Sequence, residues 1–386
     1  MQPVSSDHTT DPARVSVTDP VTPGERAGAD ASSGGEAPPP ERLRALAVGL
    51  LGGAALALLG AIVRSEPTPR GDDLIYQDIA LHPFGVHTYP FGFRFGLPAL
   101  VHVLPFDYTT SFRLLAYLAA AGAGCFAYLL MRELGAERRL AGALALVMCV
   151  SPPFLIVAIR DGRNTDIATV FLLMAACYFV VRRRYWALAL TLLAGAAVRE
   201  AVLFAVPLAY AVWATRPLDR RAAARVALVA APALAAYVAI RLGIDTVGKA
   251  QVPGYGGSLL GERLTVIRLG LESPFQEARR MFTVYGPLWL LAPLALRSMA
   301  FARRGLVLVA LSLVSMTFAL DWGRMILLAA PVFYAAGAYV LQRHRRWWAP
   351  AFAVFLALVV GYAVYMDVSG TKSGIIDNPP PPYPVQ

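Results

Sequence analysis

Asp72 and Asp73 stand side by side in a polar stretch, Gly71-Asp72-Asp73-Leu74-Ile75-Tyr76-Gln77-Asp78. If that stretch is helical, Asp73, Tyr76 and Gln77 share one face at i, i+3 and i+4. A carboxylate in such a setting can take a proton from an incoming hydroxyl or ligate a metal ion. The same pair also suits ordinary capping at a helix N-terminus. Downstream, Tyr89-Pro90-Phe91-Gly92-Phe93-Arg94-Phe95-Gly96-Leu97-Pro98 reads as a chain lying along a membrane surface, with Arg94 available to a phosphate. Three more charged spots interrupt apolar sequence: Arg160-Asp161 with Asp166, Arg199-Glu200, and Asp321-Trp322-Gly323-Arg324. Ionisable groups near membrane depth are costly and mark a functional site by default. The plainer reading is helix-end solvation with local ion pairs such as Arg160–Asp161 and Asp321–Arg324.

Other candidates carry less. His82, His87 and His102 match no zinc spacing and suit interfacial packing. Gly254-Tyr255-Gly256-Gly257 lacks the lysine and the strand–helix context of a phosphate loop and reads as a mobile loop. Arg268, Arg279 and Arg280 are candidates for lipid phosphates or an anionic donor, with plain surface charge as the simpler account. Cys125, Cys149 and Cys177 all lie in apolar runs, and no CxxC occurs, so they read as packing residues.

The elements that would hold these groups are membrane helices. The 386-residue chain is 57% hydrophobic and 16% charged, with a mean hydropathy of +0.54. Soluble chains run at about 45–50% apolar and about 25% charged. A soluble enzyme, a disordered protein and a disulfide scaffold are all excluded. The net charge is +10, and Lys249 and Lys372 are the only lysines, so the excess is arginine. No basic stripe interleaves with aromatics in a polar region, so nucleic acid is not the expected partner. Membrane orientation accounts for the arginines.

Residues 1–41 are too poor in large apolar side chains to offset their ordering entropy, and read as a disordered cytoplasmic tail. The polytopic domain is expected over 42–367, with large outer loops at 64–111 and 243–282. A flexible extracytoplasmic tail follows at 368–386, ending in a proline run. Expected spans are Leu43–Val63, Phe112–Met131, Leu140–Ile159, Asp166–Val181, Val226–Leu242, Thr283–Leu296, Leu306–Leu320, Met325–Leu341 and Ala349–Tyr365. The apolar run 185–215 is broken by Arg199-Glu200 and flanked on both sides by arginines, so it should cross twice or re-enter. Counted twice, it gives an all-α polytopic protein with about eleven crossings, N-terminus cytoplasmic and C-terminus outside. Arg42/Arg44, Arg132/Arg138/Arg139, Arg182–Arg184, Arg216–Arg225, Arg297–Arg304 and Arg343–Arg346 then share the cytoplasmic face. Asp72, Asp73, Asp78, Asp161, Asp166, Glu200, Asp321 and Arg324 gather on the outer one.

In this order the motifs resemble the GT-C superfamily of integral-membrane glycosyltransferases. The carriers are Asp72-Asp73 with Tyr76 in the first outer loop and the Tyr89-Pro90-Phe91…Arg94…Leu97-Pro98 segment. Arg160-Asp161…Asp166 with Arg199-Glu200, and Asp321-Trp322-Gly323-Arg324 followed by Pro331, complete the set. They spread over roughly residues 43–341. The resemblance implies transfer of a sugar from a polyprenyl-phosphate donor to an extracytoplasmic acceptor, with inversion. Asp73, or else Asp72, would be the general base. Arg94, Arg199 and Arg324 would neutralise the leaving phosphate. Tyr76, Asp161, Glu200 and Asp321 would complete the donor site. A divalent metal is left open, with Asp72, Asp73 and Asp166 as candidate ligands. The expected setting is a bacterial plasma membrane, with membrane lipids and the lipid-linked donor as partners. The chain departs from well-known members in having no large soluble C-terminal domain and a short second loop. The sugar, the acceptor and the oligomeric state stay open. Two other classes remain: a lipid or glycolipid transporter, with the split run as a broken helix, and a non-catalytic assembly protein.

Overall fold

The computed structural model describes residues 39–63, 72–160, 163–247, 267–268, 271–272, 274–318 and 322–369. The Gly254–Gly257 stretch, the C-terminal proline run and most of the N-terminal tail lie outside them. The described part is helical almost throughout. In chain order the helices are α1 (Pro39–Ile62), α2 (Asp72–Leu81), α3 (Gly96–Val103), α4 (Tyr108–Glu133), α5 (Arg138–Cys149), α6 (Pro152–Leu155), α7 (Asp166–Val181) and α8 (Tyr185–Val198). Then follow α9 (Ala205–Trp213), α10 (Arg220–Gly243), α11 (Pro274–Tyr285), α12 (Leu288–Leu291), α13 (Ala300–Ser315), α14 (Trp322–Ile326), α15 (Ala330–Arg343) and α16 (Trp348–Ser369). The extended exception is a two-residue parallel pairing that joins His87–Thr88 to Thr246–Val247.

Five helical stretches among the described residues are long and apolar enough to cross a membrane: Pro40–Ile62, Tyr108–Glu133, Arg220–Gly243, Trp322–Arg343 and Arg345–Met366. The pair Arg138–Cys149 and Pro152–Ile159, bent by 41°, makes a sixth if counted as one span. Pro152 and Pro153 cause the bend, since neither offers an N–H to continue α5. Other apolar stretches form shorter helices. At 1.5 Å per residue, the 14 residues of α8 reach only about 21 Å, short of a hydrocarbon core of about 30 Å. The outward faces of the long helices suit lipid: Leu43, Leu50, Leu58 and Ile62 of α1 and Leu356, Val360 and Val364 of α16 are all exposed. So large an apolar surface is not tolerated in water.

The run expected to break at Arg199-Glu200 does so. Arg199 is a single extended residue, φ −167° and ψ 130°, between α8 and a 3-10 segment at Glu200–Phe204. The two halves fold back on each other. Tyr185, at the start of α8, meets Trp213, at the end of α9, with ring centroids 5.1 Å apart. The Trp213 indole N–H donates to the Val180 carbonyl at 2.9 Å. This hairpin depends on Gly195, because a Cβ there would overlap Val202 on the returning segment.

Two expectations shift. The helix α1 starts at Pro39, so residues 39–41 are not tail; Glu41 is buried and accepts from Tyr128 at 2.9 Å and Arg132 at 2.6 Å. The span placed at Thr283–Leu296 is interrupted. α11 ends at Tyr285, Gly286 has φ +49°, and Pro287 restarts the chain. A glycine in the left-handed region followed by proline ends a helix whatever the surrounding hydropathy.

Charged groups separate to the two ends of the helices. One end holds Glu41 with Arg132 and Arg138, Arg182 with Glu133, and Arg345 with Glu137. The opposite ends of α4, α7 and the α8–α9 hairpin carry Thr109, Asp166 and Arg199.

Candidate functional site

Asp166 opens α7, and its carboxylate lies between two arginines from distant parts of the chain. One oxygen pairs with Arg199 at the hairpin tip. The other accepts from the Arg324 Nε at 2.5 Å. Asp166 and Arg199 are buried, at 2% and 4% exposure. Removing such a carboxylate from water is costly, and the paired guanidinium groups offset that cost. The Arg199 backbone carbonyl accepts from the Val202 N–H at 3.1 Å, so the turn itself aims this residue.

A second pair sits beside the first. The Arg94 guanidinium grips Glu200 through two bonds, Nη2 to Oε1 at 2.7 Å and Nε to Oε2 at 3.2 Å. This is the fork geometry that distinguishes arginine from lysine. Arg94 also donates to the Tyr76 hydroxyl at 3.5 Å, and that hydroxyl lies 3.2 Å from Thr165 Oγ1. Burial by itself would lower the Arg94 pKa; Glu200, followed by Tyr76, outweighs it and holds the guanidinium above its ordinary value. Thr165 adjoins Asp166, so the two pairs are one network. It runs Glu200–Arg94–Tyr76–Thr165, then Asp166 with Arg199 and Arg324.

Asp73 lies one turn before Tyr76 on α2 and is buried, at 5% exposure. The helical face expected for Asp73, Tyr76 and Gln77 is therefore present. Gln77 accepts from Arg163 at 2.6 Å, and the other Arg163 nitrogen donates to Thr109 at 2.7 Å. Five segments thus meet: α2, the 91–94 turn, the chain entering α7, the hairpin tip and α14. Of the residues singled out from sequence, Tyr76, Arg94, Asp166, Arg199, Glu200 and Arg324 come together here, and Asp73 sits one helical turn from Tyr76. Asp161 and Asp321 lie outside the described residues, as does the side chain of Asp72.

Three readings need correction or completion. Asp166 does not fit a divalent cation, because both its oxygens face guanidinium groups whose charge would repel one. Among the described residues, no three His, Cys, Asp or Glu side chains gather as a metal set. The histidines serve the loop instead. His87 bonds to Asp78 at 3.0 Å and to the His82 carbonyl at 2.6 Å, and His102 to the Ala80 carbonyl at 2.8 Å. Arg280 is not a surface charge: it is 2% exposed and pairs with Glu277 one helical turn away. Arg163, Asn164 and Thr165 were not singled out in the sequence. Their signal was the density of polar types in Arg163-Asn164-Thr165-Asp166, wedged between two apolar runs.

The arrangement offers a buried carboxylate at Asp73, one helical turn from the tyrosine that Arg94 bonds, and a network of arginines beyond that tyrosine; a carboxylate can abstract a proton and guanidinium groups stabilise a developing negative charge. No protein-family model matches the chain, and no curated protein is significantly similar to it.

Proposed function

We propose that this chain is a membrane glycosyltransferase of the GT-C type. It moves a sugar from a polyprenyl-phosphate donor to an acceptor hydroxyl on the outer face of a bacterial plasma membrane. Asp73 takes the hydroxyl proton, the acceptor oxygen bonds to the anomeric carbon from the side opposite the phosphate, and the C–O bond to phosphate breaks. Arg94, Arg199 and Arg324 receive the charge that the phosphate gains. Asp72 is the alternative base. The observation that carries this reading is a buried Asp73 one turn from Tyr76, which itself belongs to a network holding three arginines from three segments.

The topology that goes with it has about eleven crossings, N-terminus inside and C-terminus outside. The separation of arginine clusters from the Asp166 network supports it. Asp72→Asn combined with Asp73→Asn should abolish transfer of labelled sugar from a polyprenyl-phosphate donor in membranes, with the protein inserted at normal levels. Full transfer by that double variant would sink the mechanism.

A lipid or glycolipid transporter is the second reading, favoured by the broken helix at Arg199. It requires a water path open in turn to each side. Cysteine labelling from the cytoplasmic side at positions flanking Arg199 separates the two: the transporter reading predicts modification and the enzyme reading predicts none.

A further inference from the structure

The end of the helices opposite Asp166 is built around one carboxylate. Glu41, in the first turn of α1, is buried, and its Oε1 accepts from the Tyr128 hydroxyl at 2.9 Å and the Arg132 Nε at 2.6 Å, both on α4. Its other oxygen, Oε2, faces Arg44 Nη1 and Arg138 Nε, each at 3.4 Å. Guanidinium groups from α1, α4 and α5 thus converge on a single anion. The acids near them in sequence are engaged elsewhere, Glu133 with Arg182 and Glu137 with Arg345. Among the described residues, no other carboxylate pairs with Arg44 or Arg138.

Distance ranks the three cations. Arg132 makes a short bond to Glu41, and a second nitrogen donates to the Ala136 carbonyl. Arg44 and Arg138 stand farther off than the roughly 2.7–2.9 Å of a full charge-assisted bond. Each keeps most of its N–H donors, and their side chains are 49% and 60% exposed. Both reach the same Glu41 oxygen, so one phosphate can bridge them. Like charges held so close, with one counter-charge among three, repel each other, and a second anion relieves that repulsion.

The membrane supplies an anion of this kind. Pro40–Ile62 is long and apolar enough to span it, which puts the first turn of α1 at headgroup level. Leu51, Leu58 and Ile62 follow Arg44 by 7, 14 and 18 residues, so they lie on the same face of α1. Each is 62% exposed. A headgroup on the arginines and an acyl chain along that stripe use one continuous surface. Basic pockets between membrane helices hold anionic headgroups in this way. A phosphatidylcholine head brings its own cation to the cluster and is disfavoured.

We propose that Arg44 and Arg138, gathered by Glu41, bind the phosphate of an anionic phospholipid whose acyl chain lies along Leu51 and Leu58 of α1. Lipid capture there needs only the membrane setting, not sugar transfer.

The test uses purified full-length protein in phosphatidylcholine nanodiscs prepared with and without phosphatidylglycerol. Retained lipid is read by native mass spectrometry, and Tm is followed alongside. Phosphatidylglycerol should be retained over phosphatidylcholine and should raise Tm. Arg44→Gln combined with Arg138→Gln should weaken that retention by about tenfold or more, because two charge-assisted contacts are lost. A second pair, Arg303→Gln with Arg345→Gln, removes the same charge away from Glu41 and should retain the lipid as the unmodified protein does. If the first pair does not fold, Arg138→Gln alone carries the test, since its side chain is the more exposed. Equal loss in both pairs reduces the effect to general surface charge and overturns the site. Equal retention of the two lipids overturns it as well. A Tm response to inorganic phosphate matching that to phosphatidylglycerol would assign the arginines to a free anion and overturn the lipid.

Discussion

A single carboxylate, Asp166, balances two guanidinium groups from segments far apart in the chain. Deleting its charge leaves both arginines with less compensation, and Arg199 is buried. Asp166→Asn should therefore cost about 3–5 kcal/mol, read as a lowered midpoint in denaturant or heat. Arg94→Lys tests the neighbouring pair differently. Lysine keeps the charge but cannot make both bonds to Glu200, so under the proposed glycosyltransferase reading donor binding should weaken while insertion stays normal. The types of these residues were legible in the sequence, because charges in apolar runs stand out. Their pairing was not. Arg324 lies three residues from Asp321, and a local ion pair was the simplest account; that Arg324 reaches Asp166 depends on tertiary packing. Arg280 was misread for a related reason. A charged helix after a Gly-rich loop looks solvated until the helix packed against it is known.

Elements explain why the groups hold their places. The hairpin of α8 and α9 sets the position of Arg199 and Glu200, and Gly195 sets the hairpin. Gly195→Val should push the returning segment outward at a cost of about 1–3 kcal/mol. Activity should fall more than stability, since the tip residues move with the segment. The break itself could be read directly, from a charged pair centred in an apolar run with basic flanks. The end of α11 could have been read too, because Gly286-Pro287 is a strong stop signal that hydropathy averaging hides. Caps at the far end behave more simply. The Thr215 backbone N–H, then that of Ala222, holds the Asp219 carboxyl down to about 2. The stability of that cap is full above the ordinary carboxylate range of about 4 and is lost as pH falls through about 2. Asp219→Asn should remove this acid-range dependence from the unfolding profile while keeping the α10 cap.

For the whole molecule, composition already excluded a soluble enzyme, and the lipid-facing leucines of α1 and α16 agree. Counting crossings needs a different measurement, because α7, α8 and α9 are each shorter than a bilayer requires. Reporter fusions placed after Arg184, after Glu200 and after Arg216 decide the hairpin. The proposed topology expects cytoplasmic, external and cytoplasmic signals in that order. Three cytoplasmic signals would reduce the hairpin to a re-entrant loop and lower the count by two.

The Asp166 cluster also carries a consequence for how the chain is made. Its members emerge in the order Arg94, Asp166, Arg199, Glu200 and Arg324. The hairpin tip brings an arginine and a glutamate into apolar surroundings, and α8 and α9 are each too short to insert on their own. Partners for both charges are already present, because Asp166 and Arg94 precede them. Arg324 comes more than a hundred residues later. Until then the cluster is tied together without its last cation, and the helices around it have one fewer cross-link. Late arrival makes α14 a latch: chains ending before it should insert but be degraded quickly, and this end of the bundle closes only once α14 has been made.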